Sequence, residues 1–199
     1  MWGLPTMSPG FAKAVILAAS IVMVVIRAPH GQRSRAIPVV RSKKGPLEIA
    51  LLTVAWIAFF LPLIWIVTPV FAFADYPLHV LPFVTGTLCL ALGLWLFHRS
   101  HKNLGGNWSI TLEVREKHQL VTHGVYSRVR HPMYLALLIY SAGQALVLPN
   151  WLTGPSYGVA MVLLFALRVR AEEAMMLEQF GNDYEAYRGR TKRLIPGIW

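Results

Sequence analysis

The sequence predicts an all-α, polytopic transmembrane protein with about five spans. Three observations carry that reading. Of its 199 residues, 55% are hydrophobic and only 14% are charged, against roughly 25% charged in a soluble globular domain. The apolar residues gather into long runs at 12–26, 49–73, 78–97, 133–148 and 151–167, each nearly free of charge. Between the runs, positive charge is confined to three segments: six Lys/Arg lie in 27–44, six in 98–130 and six in 168–193, leaving only Lys13 elsewhere.

A run of about 20 apolar residues crosses a bilayer, whereas one of 10–14 usually does not. The second and third runs meet that length. The first, fourth and fifth need their flanks. Four spans with a re-entrant hairpin over 133–167 is the alternative. Lys13 ahead of an apolar stretch resembles a signal peptide. That stretch ends at Arg27 without a small-residue cleavage site, so it is expected to be retained as a first span. With five spans the three basic segments share one side. Because Lys and Arg are enriched in cytoplasmic loops, the N-terminus is expected outside and the C-terminus inside. The host membrane would be the cell membrane in a prokaryote or the endoplasmic reticulum in a eukaryote. The net charge of +10 is then explained by anionic lipid, and no nucleic-acid partner is expected.

Along the chain, residues 28–46 read as a polar loop punctuated by Pro29, Gly31, Pro38, Gly45 and Pro46. Pro62 and Pro69 fall in the second run, where membrane helices tolerate proline with a kink. Gly86 and Gly93, seven apart in the third run, suit close helix packing. Cys89, the single cysteine, reads as a packing residue. The insert 98–132 is broken by Gly105-Gly106, and Ile110–Val114 alternates as a short extended segment would. An insert of this length without structure is uncommon and tends to be functional or disordered; its aromatic and apolar content argues against disorder. Asn107-Trp108-Ser109 matches a glycosylation acceptor but falls on the expected inner face, where it would not be used. From Ala171 the tail reads as an amphipathic helix, weakened at Gly181 and closed by Pro196. With no internal repeat, residues 1–199 form one membrane domain, its catalytic region expected at 98–199.

Two boundary motifs stand out. Arg130-His131-Pro132-Met133-Tyr134 opens the fourth run, and Arg168-Val169-Arg170-Ala171-Glu172-Glu173 follows the fifth. Pro132 suits the first turn of a helix and pushes the residue before it to extended geometry, predicting a bent entry at Arg130-His131. The first motif is equally readable as an interfacial belt of snorkelling arginine and tyrosine. Arg168 sits at the apolar boundary, where ionisable groups usually face a protein interior or a wet cavity. Glu172, four residues on, shares its helix face and can pair with it. Glu173 points about 100° away and reads as solvated. His101, His118, His123 and His131 lack metal-ligand spacing, so no metal is expected. No Gly-rich loop after a strand is present, which excludes a Rossmann-type cofactor site.

Residues 118–134, from His118 to Tyr134, resemble the cofactor segment of the isoprenylcysteine carboxyl methyltransferases. Arg168, Glu172-Glu173, Phe180-Gly181, Tyr184 and Tyr187 look like the C-terminal part of the same motif set, so the likeness covers about residues 95–199. Before 95 it is one of hydropathy only. One departure is Ala136, where the family pattern often has glycine; a methyl group there narrows the pocket or shifts the helix. The resemblance implies S-adenosylmethionine as cofactor, S-adenosylhomocysteine as product, and methylation of the carboxylate of a prenylcysteine-like lipophilic acceptor. It assigns His118, Gln119, Leu120 and Val121 to the adenosine side of the pocket. Tyr126, His131, Pro132, Met133 and Tyr134 would close around the rest, Glu172 would hold the cofactor's positive end, and Arg168 would face the acceptor carboxylate. Arg168 and Glu172 are the expected catalytic pair. The chemistry is self-consistent, because a carboxylate is already ionised at neutral pH and needs alignment rather than a base. Rival readings are a phospholipid or amine N-methyltransferase, which needs a base, a nicotinamide-dependent membrane reductase, and a non-enzymatic membrane scaffold or transporter.

Overall fold

The computed structural model describes residues 6–35, 38–42, 45–105, 113–115 and 119–197. It is helical, with α1 at Pro9–Arg35, α2 at Pro46–Val67, α3 at Val80–Leu104, α4 at Pro132–Val147, α5 at Thr153–Phe180 and α6 at Asn182–Arg190. A small antiparallel ribbon joins β1 (Val39–Ser42) to β2 (Glu113–Arg115). The ribbon lies within the segments expected to be irregular, and Ile110–Leu112 of the alternating stretch lie outside the described residues.

Among the described residues, three helices are long and apolar enough to cross a membrane: Pro9–Gln32, Pro46–Val67 and Val80–Leu104. Their outer faces are apolar and open, as at Val25 (63% exposed), Ile49 (58%) and Leu88 (65%). Apolar surface on that scale belongs in lipid, and the protein is an integral membrane protein. At 16 residues, α4 rises about 24 Å. It packs on α3 through small residues. A Cβ on Gly93 would lie 2.8–2.9 Å from the Tyr140 backbone, and one on Gly86 would lie 2.8 Å from the Gly143 carbonyl. The two glycines therefore set the approach of α3 to α4, as their spacing predicts. Tyr140, Phe97 and Ala136 are buried at that seam.

Three boundaries differ from the sequence reading. First, α1 continues through Pro29 to Arg35 where a loop was expected. Proline removes one helical donor, but contacts with other helices hold the added turns. The His30 ring lies 5.0 Å from that of His101, and Arg27 lies over Trp56 at 5.6 Å. Second, the tail helix does not begin at Ala171. Residues 153–180 are one continuous helix, and Gly181, at φ +51, ends it and starts α6. Third, α6 stops at Arg190, before Pro196. The chain beyond leaves the helix and is held by its carbonyls: Arg130 N–H donates to Lys192 O (2.7 Å) and His131 N–H to Arg193 O (3.0 Å).

The elements have two distinct ends. Thr6, His79, Asp75 and Asn150 are joined by backbone bridges at one end. The described parts of the three basic segments meet at the other, through the ribbon, the Arg130–Lys192 contact and an ion pair between α2 and α5.

Candidate active site

At the basic end a cavity of about 240 Å³ opens between α1, α2, α4, α5, α6 and the segment after the ribbon. Each wall has a local cause. Asn103, in the last turn of α3, accepts the Val125 N–H through Oδ1 (3.2 Å). Gly124 has φ +64, and any Cβ there would strike the Asn103 side chain at 2.4 Å, so glycine is what lets this turn close. From the other side the Tyr187 hydroxyl donates to the Tyr126 carbonyl (2.6 Å). The turn thus held carries Gln119, Leu120, Val121 and Tyr126 into the cavity wall. Pro132 occupies the first turn of α4, as predicted, and His131 caps it at φ −121, ψ 57, a bent entry but not the extended geometry expected before proline. This entry places His131, Pro132, Met133 and Tyr134 on the wall, facing Arg168 and Glu172 from α5. The residues that the resemblance assigns to cofactor and acceptor therefore line one cavity, except His118, which lies outside the described residues.

The acidic pair is where the structure corrects the sequence. Glu173, read as solvated, is buried at 6% exposure and is the hub of the end. Arg130 donates to its Oε1 through Nε (3.0 Å) and Nη2 (2.8 Å), and Arg193 donates to Oε2 through Nη2 (2.8 Å). His131 Nε2 lies 3.2 Å from Oε1. Arg130 also donates to the carbonyls of Thr191 and Arg188. Burial alone would raise the Glu173 pKa, but the bonds from His131, Arg193 and Arg130 outweigh it and hold the carboxyl well below its usual range. A carboxylate gripped by two guanidinium groups stays ionised.

Glu172 is more open, its side chain 27% exposed. It accepts the Tyr134 hydroxyl (3.0 Å) and faces Arg168 Nε at 3.9 Å and His131 Nδ1 at 3.7 Å. Burial again opposes ionisation; the His131 imidazole, then the Arg168 charge and the Tyr134 bond, bring its pKa below the ordinary carboxylate value. His131 responds in the opposite direction. Burial disfavours its charge, yet its bonds to Glu172 and Glu173 raise its pKa above the ordinary 6.5. Arg168 is itself buried, and its Nη2 lies 3.5 Å from Glu48 Oε1 on α2.

Glu48 and Arg193 had no signal in the sequence. Both look like ordinary charges at segment ends, and only the packing of α2 and the C-terminal segment brings them in. Tyr184 and Tyr187, recognised only as part of a motif, prove to be cavity walls. Among the described residues, no group of three or more His, Cys, Asp or Glu is placed to hold a metal.

The rest of the cavity is apolar, with Met23 and Val24 from α1, Trp56 and Phe59 from α2, and Met161 and Leu164 from α5. Val24 and Trp56 are about half exposed on the membrane-facing side (50% and 46%), so the cavity reaches that surface between α1 and α2. Chemically the arrangement joins a polar floor, with Arg168, Arg130, His131 and the partly open carboxylate of Glu172, to a greasy vestibule. Glu173 is saturated and His131 is biased toward its cationic form, which leaves Glu172 as the carboxylate among the described residues that could accept a proton.

The family model described as phospholipid methyltransferase matches residues 81–183. Curated proteins named protein-S-isoprenylcysteine O-methyltransferase are similar. The one from Schizosaccharomyces pombe is 33% identical over 130 residues, 64% of this chain and 52% of that protein. The human one is 32% identical over 117 residues, 58% of this chain and 41% of that protein. Isoform B of Arabidopsis thaliana is 31% identical over 115 residues, 57% of this chain and 58% of that protein. The chain thus spans about half the length of these relatives. A solved eukaryotic intramembrane Ras methyltransferase, isoprenylcysteine carboxyl methyltransferase, superposes with a TM-score of 0.50 at 27% identity, covering 80% of this chain and 55% of that one.

Proposed function

The chain belongs to the phospholipid methyltransferase family, and on that premise we propose that it methylates the carboxylate of a lipophilic, prenylcysteine-like acceptor to give a methyl ester. The observation that carries this reading is the join of Arg168 and Glu172 to an apolar vestibule that reaches the membrane-facing surface. When bound, S-adenosylmethionine supplies an electrophilic methyl group and leaves as S-adenosylhomocysteine. The residues present fit it. Gln119, Leu120 and Val121, with His118, would take the adenosine side. Glu172 would hold the positive end, its exposed carboxylate being the acidic group with room for a ligand. Tyr126, His131, Pro132, Met133 and Tyr134 would close over the remainder.

Arg168 orients the acceptor's carboxylate with a planar fork of donors. The acceptor arrives ionised, so no residue needs to remove a proton. The surrounding tyrosines and methionines displace water, which would otherwise solvate the nucleophile. The reading extends to five spans in one domain, with α4 and the apolar part of α5 as the last two. The N-terminus lies outside and the basic end in the cytoplasm, where a polar cofactor enters from water and the acceptor from lipid. The family's name favours one second reading, an amine acceptor on a phospholipid. That reaction needs a base, and Glu172 is the available carboxylate.

Three measurements decide. Calorimetry in detergent should detect S-adenosylhomocysteine binding; no affinity at millimolar concentration overturns the proposal. Wild type given a prenyl-thio carboxylate should form a base-labile methyl ester, whereas a stable N-methyl product on phospholipid favours the second reading. Arg168→Ala should lower kcat/KM by about 100-fold with cofactor affinity kept. Equal loss of both would mean that Arg168 does not face the acceptor.

A further inference from the structure

Glu48 is an acidic side chain buried in an apolar part of the chain, and it lies outside the residues matched by the family. Helix packing explains how it arrives at the site. α2 and α5 run antiparallel, joined by the Ser156 hydroxyl donating to the Ala58 carbonyl (3.4 Å) and by the Phe59 and Tyr157 rings at 5.6 Å. Glu48 lies ten residues back from Ala58, and Arg168 lies twelve on from Ser156. Those offsets are about 15 Å and 18 Å of helix, so the two side chains meet at the basic end. Gly45 and Pro46 start α2 just ahead of Glu48, and a helix's first turn favours an anion.

Burying a carboxylate is costly unless it is paired. Here the partner is the guanidinium proposed to meet the acceptor. Arg168 is thus flanked by two carboxylates, Glu172 beside its Nε and Glu48 beside its Nη2. A buried arginine balanced by Glu172 alone would grip an incoming carboxylate firmly. Such a grip stabilises the ground state of the nucleophile and slows its attack, because only interactions stronger in the transition state speed the step.

We infer that Glu48 is a positioning residue: it fixes the plane of the Arg168 guanidinium and offsets part of its charge, so that the acceptor's carboxylate is oriented without being held tightly. The inference rests on the proposed reading of Arg168 as the acceptor-facing cation. α2 thereby contributes to catalysis from outside the residues that the family model matches.

The test compares wild type with Glu48→Gln, using a prenyl-thioacetate and its uncharged amide as probes. Calorimetry is run on both, and kinetics on the acid. Glu48→Gln should bind the acid roughly tenfold more tightly, equivalent to about 1.4 kcal/mol, with amide affinity unchanged. Its KM and kcat should fall together. Equal changes for acid and amide, or a loss of melting temperature with normal kinetics per folded molecule, would reduce Glu48 to a packing role and overturn the inference. If Glu48→Gln does not fold, Glu48→Asp retains the charge but withdraws it from Arg168, and a smaller shift in the same acid-to-amide ratio is expected. An unchanged ratio sinks the idea. A selective gain in acid affinity without methyl transfer by wild type would instead overturn the proposed function and leave the Arg168–Glu48 coupling standing.

Discussion

The two ends of the helix assembly each carry a carboxylate that ties loops together, and they do it with different partners. At the less basic end Asp75 gives one oxygen to two neutral donors, Trp65 Nε1 and Asn150 Nδ2, both at 2.7 Å. Asn150 then uses its own oxygen on the Thr153 N–H (2.9 Å), starting α5. The knot closes the loops over the helices. At the basic end Glu173 is held by two guanidinium groups and an imidazole. That grip consumes Glu173 and leaves its neighbour Glu172 partly open beside Arg168. One end uses an acid to seal the structure; the other uses one acid to seal and a second to face a cavity.

The comparison is broken most strongly at Glu173. Glu173→Ala strands Arg130, Arg193 and His131 without their shared anion. Losing one partner of a buried ion pair costs about 3–5 kcal/mol, and because Arg193 is 30% exposed the expected loss lies near 3 kcal/mol. Residues 191–194 should detach, seen as a fall in melting temperature in detergent together with new trypsin cleavage at Lys192 and Arg193. A variant that melts normally and resists trypsin would show that this segment is held by its backbone bonds alone.

Asp75→Asn should do far less. The acceptor oxygen survives and only the charge assistance to two hydrogen bonds is lost, about 1 kcal/mol. Methyl transfer should be unchanged, since the site is at the other end. A large drop in activity with normal stability would mean that the two ends are coupled.

The smallest effect is a pH dependence that sharpens the contrast. Glu173 and Glu172 have lowered pKa values, so their contribution is complete above the ordinary 4.5 and is lost as pH falls through their lower folded values. His131 has a raised pKa, so its contribution is complete below 6.5 and is lost as pH rises through its folded value. All three are in place between those limits. The melting temperature should be level from about pH 5 to 6.5 and decline modestly above it; a rise from pH 6 to 8 contradicts a charged His131 clamped between the two acids.

Much of the site was legible in one dimension. The rule that proline favours the first helical turn placed the Arg130–Tyr134 entry, and the four-residue spacing put Arg168 and Glu172 on one face. The same geometry misjudged Glu173. A 100° offset turns a side chain away from its neighbour, but whether that direction is water depends on what packs there. Arg130, 43 residues earlier, and Arg193, 20 later, fill it. Glu48 was silent for the same reason, its partner lying 120 residues away along the chain.

By itself the sequence determined the membrane character, the clustering of positive charge and the close helix packing at Gly86 and Gly93, which follow from local quantities, namely apolar run length, residue size and helical period. The short list of residues around one cavity came from the resemblance to a family. Only the tertiary structure decided which acid is buried, how far α1 runs past Pro29, where Gly181 divides the tail, and that α2 reaches Arg168. Each of those turns on a contact between distant segments. Burying a charge or extending a helix past proline is favourable only where another element supplies the missing partner.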